Sequence, residues 1–531
     1  MWFLLLTACG PGSRHAPNIA EIRVTPDVAT VHTGPAGADP LQFTATGVGD
    51  DGTDIALPVV EWTLSNQSTG ALDEDGLFTA STTNGGVTWV KARLGDAVGE
   101  ATLTSIFEQV KIGDDVDPSV FDVASTPVTD LWSYPEDGVN IPRNTPSLAF
   151  QWNDVAADGG YRLHIVSAVT DYTIYTRQLS WTAEIVVWPL IVSTNAGGSV
   201  AVELSASVGG AVHSQAITVN VNRMDANGAI LYWSTSASGI KELPYGQSAV
   251  DFLTPTQTGH CVACHSVSKD GVIAFTYDGG NERMGAKRIA DLSDVIAFDA
   301  NQYANFTTFS PDGRFLLGAS HGALMLWDAH TGAFLWEVPV DGYATQPDWS
   351  PDGATIAFTR MEDGAWADWG FAGANAKIAV MDHFGDGTFG NQRAIYDPPS
   401  PFIAYYPAWS PDGEWIAFDV STGDSYDDPD AAVWVVDGAG ARPPIELVKA
   451  NRTGGVTNSW PRWAPLPDDD VLWLTFASRR AYGHLGGGNP QIWVSGFDPE
   501  RARAGDDPTW PAFWLPGQDL AQSNHIPVWT E

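Results

Sequence analysis

Basic residues are scarce in this sequence. Of its 531 residues, 26 are Lys or Arg and 64 are Asp or Glu, so the formal net charge is −38 at neutral pH. A chain this acidic is repelled by nucleic acid and by anionic lipid head groups, because both carry charge of the same sign. We therefore expect no nucleic-acid partner, and we interpret the charge as a solvated surface that resists aggregation.

Cysteine and long apolar stretches are scarce as well. The sequence has 3 cysteines, at positions 9, 261 and 264. They are too few to supply four cysteine ligands, which weakens a zinc or iron–sulfur interpretation. Beyond the first residues, no segment approaches the roughly 18 consecutive apolar residues of a membrane span. The sequence therefore predicts no membrane-spanning helix.

Turn-forming and aromatic residues are abundant by contrast. The 54 glycines, 35 prolines and 23 tryptophans favour strands and tight turns over long helices. Hydrophobic residues make up 44% of the chain, which is enough to fill several cores. The length suggests three or four domains of roughly 100–200 residues each. We therefore expect a multidomain, all-β protein.

The opening stretch MWFLLLTACG contains a pattern typical of lipidation. Leu6–Cys9 follows a short apolar run and resembles the lipobox of bacterial lipoproteins, in which the cysteine is lipidated and becomes the mature N-terminus. The stretch lacks Lys and Arg and is shorter than a complete export signal, which favours a true start upstream. The resemblance implies that residues 1–17 are signal and tether. It also implies that Cys9 anchors the protein in the bacterial cell envelope, in the periplasm or at the outer-membrane surface.

Residues 18–106 alternate apolar and polar positions between turn residues. Segments such as VVEWTLS, GLFTAS and VTWVKARLG fit short strands, and several such strands in a row indicate a small β-sandwich. Their order resembles that of bacterial Ig-like domains of the invasin and intimin kind. This resemblance implies a spacer or adhesive module without chemistry of its own.

Residues 107–225 also consist of strand-like segments between turns, but the order of the segments differs from that in residues 18–106. Segments such as YRLHIVSA, SVAVELSASVGG and SQAITVNVN are again typical of strands separated by turns. The pattern resembles a fibronectin-III-type sandwich. We therefore expect a second β-sandwich, and the two sandwiches together would hold the rest of the chain away from the membrane.

From about residue 226 the sequence repeats itself. Four segments share an aromatic residue, a small residue and a turn, as in DWSPDGATIAF, with the small residue at Ser310, Ser350, Ser410 and Ala464. The spacings of 40, 60 and 54 residues suit four-stranded propeller blades of about 40–45 residues with insertions. The repeated Pro, Asp and Gly are turn residues, and the flanking segments alternate like strands.

These units resemble the WD40-like repeats of TolB-type six-bladed propellers. The segment SVSKDGVIAFTY falls in the same register, with Ser268 placed 42 residues before Ser310. The final SNHIPVWTE matches an inner strand without the rest of its blade, and residues 229–243 resemble outer strands. The resemblance implies that residues 226–531 form a six-bladed propeller whose last blade is assembled from both ends of this region, which removes open sheet edges.

Cys261, Cys264 and His265 form the motif CVACH in the first blade. A Cys-x-x-Cys-His motif attaches haem because its two thiols meet the two vinyl groups while the adjacent imidazole binds the iron. The motif resembles that of c-type cytochromes, which implies haem c as cofactor with His265 as an iron ligand. The resemblance covers five residues and no fold, since a propeller strand follows the motif here.

Other uses of the motif stay open. Cysteines three apart can form a small disulfide loop or stay as free thiols, and other redox or metal roles are conceivable although no βαβ pattern supports a thioredoxin-like one. If haem is bound, the repeat register puts His525 on the neighbouring blade at the same channel mouth, as a candidate second iron ligand. Met284 is another candidate, and the iron can also stay five-coordinate.

No catalytic constellation emerges. GASHG at 318–322 fits G-x-S-x-G, but it lies on a blade strand and turn and not on a strand-to-helix elbow. We therefore name no catalytic residue and favour a non-enzymatic role. The leading hypothesis is electron transfer or redox sensing by a haem-carrying propeller with a redox partner. The alternative is a haem-free scaffold that binds a protein or glycan of the cell envelope.

Overall fold

The chain folds into two compact units made almost entirely of strands. The computed structural model describes residues 19–183, 186–278, 283–362, 366–367, 370–371, 375–452, 454–465 and 471–530. The lipobox-like segment and Cys9 lie outside these residues. One unit runs up to Ile112 and includes His164–Ile174, and the other contains Gly113–Leu163 and Tyr175–Glu531. Strands dominate both units, so the predicted all-β fold class is confirmed.

The first unit has the layered sheets of a β-sandwich. Buried and exposed positions alternate along Gly86–Leu94, because successive side chains of a strand point to opposite faces. The inward positions pack into a core around Phe43 and Phe78. The last strand continues past residue 106, where the sequence pattern places the domain boundary. The strands are Ile19–Thr25, Val28–Thr33, Leu41–Gln42, Thr44–Gly49, Asp54–Ala56, Glu61–Leu64, Gly70–Leu72, Leu77–Ala80, Gly86–Leu94 and Ala97–Ile112, with a 3-10 turn at Gln67–Thr69.

Residues 113–163 and 175–225 of the second unit form the second sandwich. Its two longest strands, Ser199–Val208 and Ala211–Val221, pair along their whole length. Aromatic rings fill its core: the Phe150 ring centroid lies 5.5 Å from that of Trp188. The other strands are Ser125–Pro127, Trp132–Tyr134, Val139–Ile141, Ala149–Trp152 and Ser180–Thr182, with helical segments at Pro118–Phe121 and Trp188–Thr194. The strands Gly160–Val166 and Thr170–Thr176 lie in part within His164–Ile174, which belongs to the first unit.

The described residues between 229 and 530 form six four-stranded antiparallel sheets, the blades of a propeller. Each blade is numbered by its place in the chain, and its strands are given from the channel outward. Blade 1 is Val262–Val267, Val272–Tyr277, Met284–Arg288 and Asp294–Ile296; blade 2 is Phe306–Phe309, Phe315–Ser320, Ala323–Asp328 and Phe334–Val338; blade 3 is Tyr343–Trp349, Thr355–Met361, Lys377–His383 and Phe389–Tyr396. Blade 4 is Ile403–Trp409, Trp415–Ser421, Ala432–Asp437 and Ile445–Glu446; blade 5 is Ser459–Trp463, Leu472–Ser478, Gln491–Phe497 and Phe513–Trp514; blade 6 is Asn524–Thr530, Ala229–Ser234, Gly239–Pro244 and Val250–Leu253.

Short segments complete the second unit. A hairpin of Trp366–Ala367 and Gly370–Phe371 is inserted in blade 3. The helical segments of the propeller are Pro255–Thr258, Phe298–Ala300, Val448–Asn451 and Pro499–Ala504. None of the helices in the described parts of the chain is both long enough and apolar enough to cross a membrane.

Blade 6 closes the ring by joining the two ends of the propeller sequence. Its inner strand, Asn524–Thr530, pairs antiparallel with Ala229–Ser234, and Ile230 lies opposite Trp529. Among the described residues, every blade therefore has four strands and each inner strand pairs with its neighbour. The closure predicted from the repeats is confirmed.

The repeated SPDG segments form the turns that leave the inner strands. Ser350 Oγ donates to Asp352 Oδ1 at 2.6 Å and accepts a hydrogen bond from the N–H of Thr355 at 2.9 Å. Gly353 follows with φ of 73°, a left-handed conformation that glycine adopts without a steric penalty. Blades 2 and 4 repeat the same serine–aspartate bond. The serine hydroxyl therefore ties the turn to the start of the second strand.

Four inner strands contain a β-bulge at the same position. The backbone is left-handed at Gln346, Tyr406, Trp460 and Ile526, with φ of 53°, 51°, 63° and 49°, and a proline follows each of them. Proline cannot donate to the ladder, and the strand pairing shifts by one residue at this point. The N–H of Tyr406 donates to Gln346 Oε1 at 2.9 Å, and that of Trp460 donates to Asp419 Oδ2 at 3.1 Å. The bulges of blades 4 and 5 are therefore each capped by a side chain of the preceding blade.

Ser350→Ala tests the contribution of the turn. The substitution removes both side-chain hydrogen bonds, each of which contributes about 1 kcal/mol, so we expect the propeller's unfolding midpoint to fall by about 2–4 °C. Differential scanning calorimetry of the full chain measures this shift. Ser199→Ala, at an exposed position of the second sandwich, is the control. Equal midpoints for the two variants would contradict the assignment.

Candidate functional site

The CVACH segment begins blade 1 at one mouth of the central channel. The short helix Pro255–Thr258 precedes it and ends at Gly259, whose left-handed backbone (φ 75°) turns the chain toward the inner strand. The carbonyl of Cys261 accepts a hydrogen bond from the N–H of Asp278 at 2.9 Å. The backbone at the first cysteine is thus tied to the end of the second strand of the same blade.

Cys261 and Cys264 are both free thiols, and their environments differ. Cys261 is exposed at the rim, whereas Cys264 is half-buried. Burial raises the pKa of the Cys264 thiol to about 12, and the nearby guanidinium of Arg462 offsets this only in part. The Cys264 thiol is therefore protonated at neutral pH and is a poor nucleophile in the folded protein.

His265 is 5% exposed. Burial lowers the pKa of its imidazole to about 4, so the ring is neutral at physiological pH. The backbone of Leu231 and of Ala263 lies beside the ring and opposes this lowering in part. Within the described part of the chain, however, neither ring nitrogen makes a hydrogen bond of normal geometry. Such an imidazole is unusual, because buried polar groups are normally bonded.

A bulge also occurs at the motif, although no proline stands there. The pairing with the second strand shifts by one residue between Val262 and His265. In a regular strand neighbouring side chains point to opposite faces, and a bulge interrupts that alternation. Arg462 of blade 5 influences the pKa of both Cys264 and His265, so both side chains lie within its electrostatic reach.

Three aromatic rings meet across the channel beside Cys264. Phe306 of blade 2, Tyr406 of blade 4 and Trp460 of blade 5 occupy the same position on their inner strands, and we call them the aromatic plug. Tyr406 and Trp460 stack with ring centroids 3.9 Å apart, and Phe306 lies 5.6 Å from Tyr406 and 6.1 Å from Trp460. Blades 2 and 5 are opposite each other in a six-bladed ring, so the contact crosses the axis. Cys264 contributes to the raised pKa of the Tyr406 phenol, which puts the thiol next to the plug.

The buried Asp419, the half-buried Asp348 and an arginine lie near the channel. Asp348 Oδ2 accepts from the N–H of Trp409 at 2.7 Å, and Asp419 Oδ2 accepts from Ser459 Oγ at 2.5 Å. Burial raises the pKa of both carboxyl groups, and Arg462 counteracts it in part. The acids therefore join neighbouring blades, and Asp419 Oδ1 has no hydrogen-bond partner among the described residues.

His525 lies on the inner strand of blade 6 and is 6% exposed. Its ring centroid lies 5.7 Å from that of Trp233 and 6.2 Å from that of Tyr426. Burial lowers the pKa of His525 to about 4. Cys264 also contributes to the raised pKa of Tyr426, so Tyr426 lies near both His525 and the Cys264 thiol. Met284, by contrast, lies in the apolar core between blades 1 and 2.

The donors of the motif fit a covalently attached haem in three respects. Two thiols are free, the imidazole is neutral, which is the form that binds iron, and neither of its nitrogens makes a hydrogen bond of normal geometry among the described residues. The backbone of Leu231 and of Ala263 lies beside the ring, and a backbone carbonyl is one of the usual groups that orient a ligating histidine. Because His265 is covered, its ring would have to turn toward the mouth to reach an iron there. The described residues contain no cluster of three or more His, Cys, Asp or Glu that could hold a bare metal ion.

Neither the aromatic plug nor Asp348, Asp419 and Arg462 were predicted from the sequence. The repeats nevertheless carry a signal for them. A charged residue stands two positions after the bulge residue in two blades, Asp348 after Gln346 and Arg462 after Trp460. A charge in an otherwise apolar inner strand is expected only where the strand borders a polar space such as the channel.

No family model matches the chain, and no curated protein matches it. Among solved structures it is similar to a TolB candidate from Agrobacterium tumefaciens, with 15% identity over 57% of this chain and 99% of that chain, at a TM-score of 0.33. It is also similar to TolB from Acinetobacter baumannii (16% identity, 62% of this chain, 79% of that chain, TM-score 0.40). A third similar structure is hydrazine synthase from Kuenenia stuttgartiensis (17%, 49%, 67%, TM-score 0.32). At these values the similarities carry no argument about function.

Thiol labelling tests the two cysteine environments. In haem-free protein with Cys9 replaced by serine, we expect Cys261 to react with an aromatic disulfide reagent at least about 100-fold faster than Cys264, because the second cysteine is half-buried and desolvation raises its pKa. Absorbance of the released thiolate measures both rates. Cys261→Ser should abolish the fast phase and Cys264→Ser should leave it unchanged. Equal rates for the two thiols would contradict this arrangement.

Proposed function

We propose that this chain is an exported, lipid-anchored propeller protein of the bacterial cell envelope that carries haem c at Cys261 and Cys264. Its role would be electron transfer or redox sensing. The observation that carries the proposal is His265, a buried and neutral imidazole without a normal hydrogen bond, directly after two free thiols.

Each residue of the mouth has a part in this proposal. Cys261 and Cys264 would hold the haem through thioether bonds, and His265 would bind its iron. His525, on the adjacent blade, is the candidate for the opposite face of the iron. A bound haem supplies a one-electron couple. The aromatic plug would exclude water on the channel side, and such exclusion is one of the ways in which a protein sets a haem potential.

Haem attachment is tested by expressing the exported protein in a host with haem c maturation. We expect a pyridine haemochrome spectrum of c type and a haem mass that stays with the chain after denaturation. Cys261→Ala with Cys264→Ala should lose both signals. Cys9→Ala is the matched control, because it removes a cysteine far along the chain from the motif and should keep the haem.

A colourless wild-type protein would contradict the haem proposal. If its mass were lower than that of the reduced form by two hydrogens, and the double alanine variant lacked that difference, a disulfide would join Cys261 and Cys264. The motif would then be a structural staple at the rim of blade 1.

The second candidate is a haem-free scaffold that binds a protein or glycan of the envelope. The observation in its favour is the aromatic character of the mouth, where Trp233 and Tyr426 are both partly exposed. Tyrosine and tryptophan are enriched at binding surfaces because they offer a large apolar face with a polar tip. A colourless protein would make this the better account.

Lipid anchoring rests on the lipobox-like Leu6–Cys9 and is tested separately. In the exported full chain, we expect detergent-phase partitioning for the wild type and aqueous-phase partitioning for Cys9→Ser, because an acyl anchor adds about 0.8 kcal/mol for each buried CH₂. Cys261→Ser is the control and should stay in the detergent phase. Identical partitioning of wild type and Cys9→Ser would exclude the anchor.

A further inference from the structure

We propose that the second sandwich is a clasp that keeps the ring of blades closed. The sequence suggested a spacer, but one edge of this sandwich makes specific contacts with blades 4, 5 and 6. The inference does not depend on haem and goes beyond the proposed function. Its basis is a small group of side chains between residues 134 and 151, each with partners in the propeller.

Tyr134 is the centre of these contacts and is 2% exposed. Its ring packs edge-on against Tyr482, with centroids 4.8 Å apart, and lies 6.2 Å from Trp493. Its hydroxyl oxygen accepts a hydrogen bond from the N–H of Trp514 at 3.1 Å. Burial raises the pKa of this phenol well above its usual value. All three partners belong to blade 5: Tyr482 lies in the loop after its second strand, and Trp493 and Trp514 lie in its two outer strands. One side chain of the sandwich therefore contacts three parts of this blade.

Gln151 adds a second contact with blade 5 and is completely buried. Its Oε1 accepts from the N–H groups of His484 and Leu485 at 3.0 and 3.3 Å. A Cβ atom at Gly483 would lie 2.2 Å from the same oxygen, so only glycine permits this approach. The loop of blade 5 is therefore shaped to receive an acceptor from the sandwich.

Contacts on either side extend the clasp to blades 6 and 4. Thr145 Oγ1 lies 3.0 Å from the hydroxyl of Tyr245, a residue that follows an outer strand of blade 6. The Tyr245 ring stacks on Trp529 of the inner strand of blade 6, and the two ring centroids are 6.4 Å apart. Glu136 forms an ion pair of 2.9 Å with Arg452, which follows blade 4. The sandwich thus contacts three consecutive blades.

The position of these contacts relative to the closure supports a clasp. The ring closes only where Asn524–Thr530 pairs with Ala229–Ser234. The chain enters Asn524–Thr530 from blade 5, and it continues from Ala229–Ser234 through Gly239–Pro244 to Tyr245. Opening the ring would separate these two sides, and the sandwich binds both. Opening therefore also requires breaking the contacts of Tyr134 and Gln151 or that of Thr145.

Hydrogen exchange with mass spectrometry on the full chain tests the clasp. We expect Tyr134→Phe, which removes one hydrogen bond, to speed exchange of the closing strands Asn524–Thr530 and Ala229–Ser234 by about fivefold. Gln151→Ala, which leaves two amides without an acceptor, should have a larger effect on the same strands. Exchange in Phe315–Ser320 of blade 2 should not change.

Tyr161→Phe is the matched control. It also removes a phenol hydroxyl in this sandwich, but that hydroxyl bonds to the N–H of Val155 within the sandwich itself. Unchanged exchange of the closing strands in both Tyr134→Phe and Gln151→Ala would overturn the clasp. An equal increase in all blades, or the same increase in Tyr161→Phe, would also overturn it, because either result would indicate general destabilisation.

Discussion

The propeller depends on one repeated constraint, the bulge that precedes a proline in the inner strand. Proline removes a donor from the ladder, and the residue before it adopts a left-handed backbone that costs a non-glycine residue on the order of 1–3 kcal/mol. Acceptors on the preceding blade stabilise the bulge: Gln346 bonds the amide of Tyr406, and Asp419 bonds that of Trp460. The bulges of blades 4 and 5 are therefore complete only beside the preceding blade, which couples the folding of these blades to that of their neighbours.

The candidate site occupies a position that this constraint creates. In blade 1 the bulge is kept, but cysteine and histidine replace the residue pair that ends in proline in blades 3 to 6. Cys264 is half-buried and His265 is buried at this position, and desolvation explains both the high pKa of the Cys264 thiol and the low pKa of the His265 imidazole. A structural position is thus occupied by residue types that can bind cofactors, while Cys261 stays accessible at the rim.

The second sandwich shares a compact unit with the propeller, whereas the first sandwich forms most of the other unit. The contacts of Tyr134 and Gln151 explain this division, because they join side chains far apart in sequence into one buried layer. The end of a strand pattern marks where one sheet stops. It does not show whether the next domain packs against its neighbour, which depends on buried area and complementary hydrogen bonds.

The sequence by itself determined the local structure of this protein: alternating strands, SPDG turns, the repeat and the way its two ends complete one blade. These features depend on backbone preferences and on burial within a blade, which neighbouring residues encode. It also identified the motif of Cys261, Cys264 and His265. Only the tertiary structure decided that Phe306 and Trp460 meet across the channel, that burial keeps the Cys264 thiol protonated, and that Gln151 enters a loop of blade 5. Such contacts join distant segments, and their energies arise from burial, which spacing along a chain does not reveal.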